Sequence, residues 1–165
     1  RIGAHPGYPN RETMGRMRPD LSTEELRESL MEQARRFATL TTPAYLKPHG
    51  AWYNDIVAGE ASATTIAEEI AQELSVPVMI LPVASLGVPT FREGFADRAY
   101  EPDGSLRPRS QPDAVLHDPE AVRAQVLRLA ESVDSICLHG DIPDALMFAE
   151  LVTKTLRDAG YEVGA

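Results

Sequence analysis

Short apolar runs alternate with longer stretches of helical periodicity along the chain. Ile2, Gly3 and Ala4 read as the end of a strand that runs into a Pro/Gly loop. Ser22 caps a helix reaching about residue 40. Glu25 stands at the third helical position and completes a capping box. Leu26, Leu30, Ala34 and Phe37, with Gln33 beside Ala34, form its inward stripe. Residues 44–47 predict a short strand that Pro48 ends. Residues 63–74 predict a helix with Ile66, Ile70 and Leu74 on one face. Residues 76–83 are apolar, rich in β-branched side chains and bounded by prolines, which predicts a buried strand. Residues 91–111, crowded with Arg, Pro and Gly, predict a loop. Residues 114–116 predict a weak strand. Asp118 then caps a helix with Pro119 at its first position, running to about residue 131. A strand over 135–138 and a helix over 143–159, stopped by Gly160, complete the pattern. Strands and helices in alternation predict an α/β fold of parallel βα units in a single domain over 1–165. In such folds chemistry collects beyond the carboxyl ends of the strands.

That rule makes the histidines informative. His5, His49 and His139 each follow an apolar or strand-like run, and each is followed by glycine, directly or after one proline. Any one alone reads as readily as a hydrogen-bonded histidine at a strand end. Three with the same local grammar favour a site, and a parallel sheet would bring all three to one rim. His117 precedes the Asp118–Pro119 helix start and reads as a surface or capping residue. Lys47 and Asp141 stand two residues from His49 and His139, the spacing that shares a side in a strand. A lysine there can polarise a carbonyl or hold an anion, and an aspartate can orient an imidazole. Asp141 also reads as the cap of the last helix. The arginines of the loop, Arg92, Arg98, Arg107 and Arg109, are suited either to solvent or to clamping a carboxylate or phosphate.

Composition narrows the classes. A formal net charge of -9 disfavours nucleic acid and anionic membrane as partners. No apolar run approaches the roughly 20 residues that span a bilayer. The single cysteine, Cys137, forms no internal disulfide, and with no signal peptide in view the expected compartment is the cytoplasm. No Gly-rich Lys-Ser/Thr phosphate loop occurs, so ATP binding is not visible in the sequence.

Several of these segments resemble the LamB/YcsF family in the same order: Gly3-Ala4-His5-Pro6-Gly7-Tyr8-Pro9, Lys47-Pro48-His49-Gly50-Ala51-Trp52-Tyr53-Asn54, Glu93-Gly94-Phe95-Ala96-Asp97-Arg98 with Tyr100, and Ser135-Ile136-Cys137-Leu138-His139-Gly140-Asp141. Arg107-Pro108-Arg109-Ser110 also fits. The resemblance implies an irregular (βα) barrel of the glycoside hydrolase/deacetylase-like type. It also implies a hydrolase component, the A subunit of an ATP-dependent 5-oxoprolinase that opens the lactam of 5-oxoproline to glutamate with subunits B and C. Family members carry a further N-terminal portion, with an acidic strand and a Gly-Phe-His-Ala-Gly segment, that has no counterpart here. Connections between Gln33 and Lys47, Val83 and Glu93, and Leu129 and Ser135 are short. Trp52 replaces the usual leucine and Asn10 an aspartate. The expected fold is therefore a truncated or reduced barrel, a partial domain.

On this reading Lys47, His49, His139 and Asp141 are the catalytic candidates. His5, Asn54, Glu93, Asp97, Arg98 and Arg109 are the substrate-binding ones. Lys47 with Arg98 or Arg109 would hold a carboxylate or phosphate, while His49, His139 and Asp141 would activate water and move protons. Two alternatives stand beside it. One is a metal-dependent hydrolase or deacetylase, in which three histidines and an aspartate bind Zn²⁺. The other is a non-catalytic reduced homologue that only binds ligand.

Overall fold

A computed structural model describes residues 1–140, 142 and 144–164. Its chain contacts divide it into two compact units, residues 1–80 with 84–91 and residues 81–83 with 92–165. The fold is mixed α/β with parallel strand pairing.

In the first unit, α1 (Thr23–Ala38) starts at the expected capping box. The Ser22 hydroxyl accepts from Glu25 N, and the Glu25 carboxylate accepts from Ser22 N. Such a cap contributes about 1 kcal/mol. Leu26, Leu30, Met31 and Ala34 are buried along one face. They belong to the same unit as the apolar stripe of α3 (Ala61–Leu74), where Ala63, Ile66, Ala67, Ile70 and Ala71 are buried. Each fully buried Leu or Ile contributes roughly 1.5–3 kcal/mol. Arg27 and Arg35 of α1 reach Glu69 and Glu73 of α3. Between the two helices in sequence lies α2 (Gly50–Val57), which buries Trp52, Tyr53 and Ile56. The Trp52 indole N–H donates to the Ala63 carbonyl, so the larger ring at this position has a polar partner.

The strands of this unit are shorter than the apolar runs predict. Only Val78–Ile80 forms a strand, β1. The runs at 2–4 and 44–47 make single parallel bridges, Ala4 to Leu46, Leu46 to Val78 and Gly7 to His49. Proline is the reason: Pro6, Pro43, Pro48, Pro77 and Pro82 interrupt the runs and cannot donate to a ladder. Their carbonyls still accept, Pro77 from Leu46 N and Pro6 from His49 N.

In the second unit, β2 (Thr90–Phe95), whose first two residues lie in the first unit, pairs in parallel with β3 (Ser135–Cys137). β2 corrects the expected loop over 91–111. Its burial does not alternate: Glu93, Gly94 and Phe95 are buried in succession after exposed Arg92, and a charged residue lies among the buried ones, so no apolar alternation marks it. The rest of that stretch carries antiparallel bridges, Arg98 to Val115 and Tyr100 to Leu106, in place of the strand expected at 114–116. Helices α4 (Pro119–Ala130) and α5 (Ala145–Asp158) pack together through Val122, Val126, Phe148 and Val152, with Ala96 in the same cluster. Asp118 caps α4 by accepting from Glu120 N and Ala121 N. Gly160, at φ +88, ends α5, with Tyr161 N donating to Leu156 O and Gly160 N to Arg157 O. The expected start of the last helix at residue 143 lies outside the described residues.

Candidate functional site

The first unit joins His5 and His49. Parallel bridges at Ala4–Leu46 and Gly7–His49 run the two segments side by side, so residues just past each apolar run become neighbours. His5 Nδ1 donates to the Lys47 carbonyl at 2.7 Å. Nε2 of His5 and Nδ1 of His49 lie 3.0 Å apart, with the rings edge to face. His49 Nε2 donates to the Met14 carbonyl at 2.8 Å. Met14, at φ +50, and Gly15, at φ +69, form the left-handed turn that aims that carbonyl. A non-glycine residue held there is a strained feature of the kind that clusters at functional sites.

Further contacts fix this arrangement. Gln33 of α1 clamps the first loop, accepting from Gly7 N and donating to Gly7 O. Gly50, at φ +60, lets α2 begin against the turn, since a Cβ there would stand 2.4 Å from the Gly15 carbonyl oxygen. Loss of water around the ring pushes the His5 pKa below the ordinary histidine value. The Lys47 carbonyl opposes this, and the charges of His49 and Lys47 add to the lowering. Nearby in sequence, the Tyr8 hydroxyl donates to Asp55 at 2.6 Å, and Arg18 bridges Asp55 and Glu60. Burial first, and then that bond, push the Tyr8 pKa up. Asn54 is exposed on α2.

The second unit joins His139 and Asp97. The strand register explains it: Phe95 stands opposite Cys137, so the residues two positions further on emerge side by side. His139 Nδ1 donates to Asp97, with oxygens at 2.9 and 3.0 Å, and the His139 backbone N–H donates to the same carboxylate at 3.2 Å. Asp97 is 1% exposed. Burial works to raise its pKa, yet the hydrogen bonds and charge of His139 bring it below the ordinary carboxylate value. Phe95 stacks on the imidazole with centroids 5.7 Å apart. With Nδ1–H committed to Asp97, the neutral ring carries its lone pair on Nε2.

The segment carrying Asp97 is braced from several sides. Gln125 Nε2 lies within donating distance of the carbonyls of Phe95, Ala96 and Arg98. Arg98 is buried and donates Nε to the Ala114 carbonyl and Nη2 to the Arg107 carbonyl. Burial, and then the charge of Arg109, push the Arg98 pKa down. Phe95 N donates to the Tyr100 hydroxyl. Glu93 is buried on β2 and Arg109 is exposed. Asp141 lies outside the described residues. Sequence reasoning singled out neither Gln33 nor Gln125 as site supports. Gln33 carried one signal, a polar side chain set within an apolar stripe.

Each ring nitrogen of His5 and His49 already faces a protein atom, so a metal ion on either would replace a hydrogen bond. Among the described residues no group of three His, Cys, Asp or Glu is placed to hold a metal ion, and no helix is long and apolar enough to cross a membrane.

Residues 1–165 match the LamB/YcsF family. The chain is similar to the 5-oxoprolinase A subunit of Neisseria meningitidis serogroup C (strain 053442), at 40% identity over 192 residues covering 100% of this chain and 78% of the relative. It is 38% identical to the 5-oxoprolinase A subunit of Corynebacterium jeikeium (strain K411), covering 99% and 74%. The alignment of 192 positions against 165 residues leaves stretches of the Neisseria protein without counterparts inside the chain, in keeping with short connections. Among solved structures, the lactam utilization protein from Thermus thermophilus superposes with a TM-score of 0.83 at 28% identity, covering 99% of this chain and 76% of that one.

Proposed function

Because this chain belongs to the LamB/YcsF family, we propose that it is the A subunit of an ATP-dependent 5-oxoprolinase of the cytoplasm, opening the lactam of 5-oxoproline to L-glutamate together with subunits B and C. The names of its relatives support the reaction class. The observation that carries the chemistry is the Asp97–His139 pair. A buried carboxylate that accepts Nδ1–H fixes the imidazole in one tautomer. Nε2 is then the base that takes a proton from an attacking water, and Asp97 stabilises the imidazolium that results.

ATP, when bound, supplies the electrophilic activation of the lactam carbonyl. The charge set of the chain suits an anion of that kind or the substrate carboxylate: Lys47 acts by charge on His5, and Arg109 on Arg98. Like charges held close are relieved by a bound anion. Arg98 gives two of its nitrogens to the backbone carbonyls of Ala114 and Arg107.

The test is reconstitution with the partner subunits and measurement of ATP-dependent glutamate formation. His139→Ala is expected to lower kcat by about 10²–10⁴-fold. Full activity of that variant would remove the assignment. Binding of 5-oxoproline by the reconstituted wild-type complex without turnover would favour the ligand-binding reading.

A further inference from the structure

The hydrogen-bond chain through His5 and His49 has two carbonyl oxygens at its ends, on Lys47 and Met14, and neither can donate. His5 Nδ1 and His49 Nε2 must therefore both carry hydrogen. The central contact, at 3.0 Å between His5 Nε2 and His49 Nδ1, needs one hydrogen more. Two neutral imidazoles hold two ring N–H groups, and this chain needs three. With only two, lone pairs would face each other at the centre, or one end contact would open. With four, two N–H groups would collide there.

We infer that His5 and His49 form one proton-holding unit that carries a single extra proton. His49 is the clamped member. Its Cδ2 lies 3.0 Å from a Cβ built on Gly7 and 3.3 Å from one built on Gly15. His5 is the more exposed residue of the two, although its ring is partly shielded from water, so it is the member through which the proton leaves and returns.

The surroundings suit a unit that takes one proton and resists a second. The groups acting on His5 by charge are His49 and Lys47. Asp55 of α2 and Glu60 at the α3 cap are engaged by Tyr8 and Arg18.

The test is nitrogen-15 NMR of histidine-labelled full chain across pH. Three protonated ring nitrogens shared by the two residues are expected near neutrality, and the two rings should titrate as a pair in two steps separated by more than about one pH unit. In His5→Asn, His49 should titrate in a single step, altered from wild type. Two neutral tautomers in the wild type near neutrality, or a His49 titration unmoved by His5→Asn, would overturn the inference. If His5→Asn does not fold, the wild-type tautomer count decides alone. Failure of the 5-oxoprolinase reading would appear separately, as a coupled pair in a chain that forms no glutamate with its partner subunits.

Discussion

The two units each pair a histidine with a second side chain at the ends of parallel segments, and they differ in the charge of that partner. In the second unit His139 faces a buried carboxylate; in the first, His5 faces another imidazole, with Lys47 adding positive charge. A negative partner makes a ring a better proton acceptor, and a positive one makes it readier to lose a proton. The same side chain thus meets opposite electrostatic surroundings in the two units.

The largest expected effect comes from removing the negative partner. Asp97→Asn keeps the shape but removes the charge and allows the wrong His139 tautomer. Steady-state kinetics of the reconstituted enzyme should show kcat lower by about 10²–10⁴-fold, with little change in KM. A kcat close to wild type would erase the contrast between the units.

A smaller effect is expected from disturbing the frame of the histidine pair. Gly50→Ala puts a side chain at positive φ and a Cβ 2.4 Å from the Gly15 carbonyl oxygen. Denaturant unfolding should show a loss of at least about 1–2 kcal/mol. Stability equal to wild type would mean that the turn carrying Met14 is not held as described.

The smallest is a difference in acid response. The folded pKa of His5 lies below its unfolded value of about 6.5, so below that pH the unfolded chain binds more protons than the folded one. Stability should therefore fall as pH drops from about 6.5 and level off below the folded value. Asp97, also lowered, contributes stability that is complete above about pH 3.9 and is lost as pH falls through its folded value. Thermal unfolding measured from pH 6.5 to 5 should show a slope that His5→Asn reduces and Asp97→Asn leaves in place. A slope carried by Asp97 instead would reverse the assignment.

The apolar periodicities, the Ser22–Glu25 box, the Asp118–Pro119 start and the Gly160 stop are local signals, and α1, α3, α4 and the end of α5 follow them. β2 and α2 were not legible in the same way. In β2 three successive residues are buried, a glutamate among them, so no alternation marks the strand. In α2 the apolar positions 52, 53 and 56 stand behind a glycine whose conformation is set by a turn far away in sequence.

For the site, the sequence by itself determined which residues stand at the ends of extended segments: His5, Lys47, His49 and His139 are placed by the apolar runs and by the prolines and glycines that stop them. Only the tertiary structure decided their partners. Strand register brought Asp97 to His139, and parallel bridging brought His5 to His49. The left-handed turn at Met14 and Gly15 supplied the last carbonyl. A proton's position depends on which lone pairs face it within about 3 Å, and such contacts join residues dozens of positions apart. No local pattern encodes them.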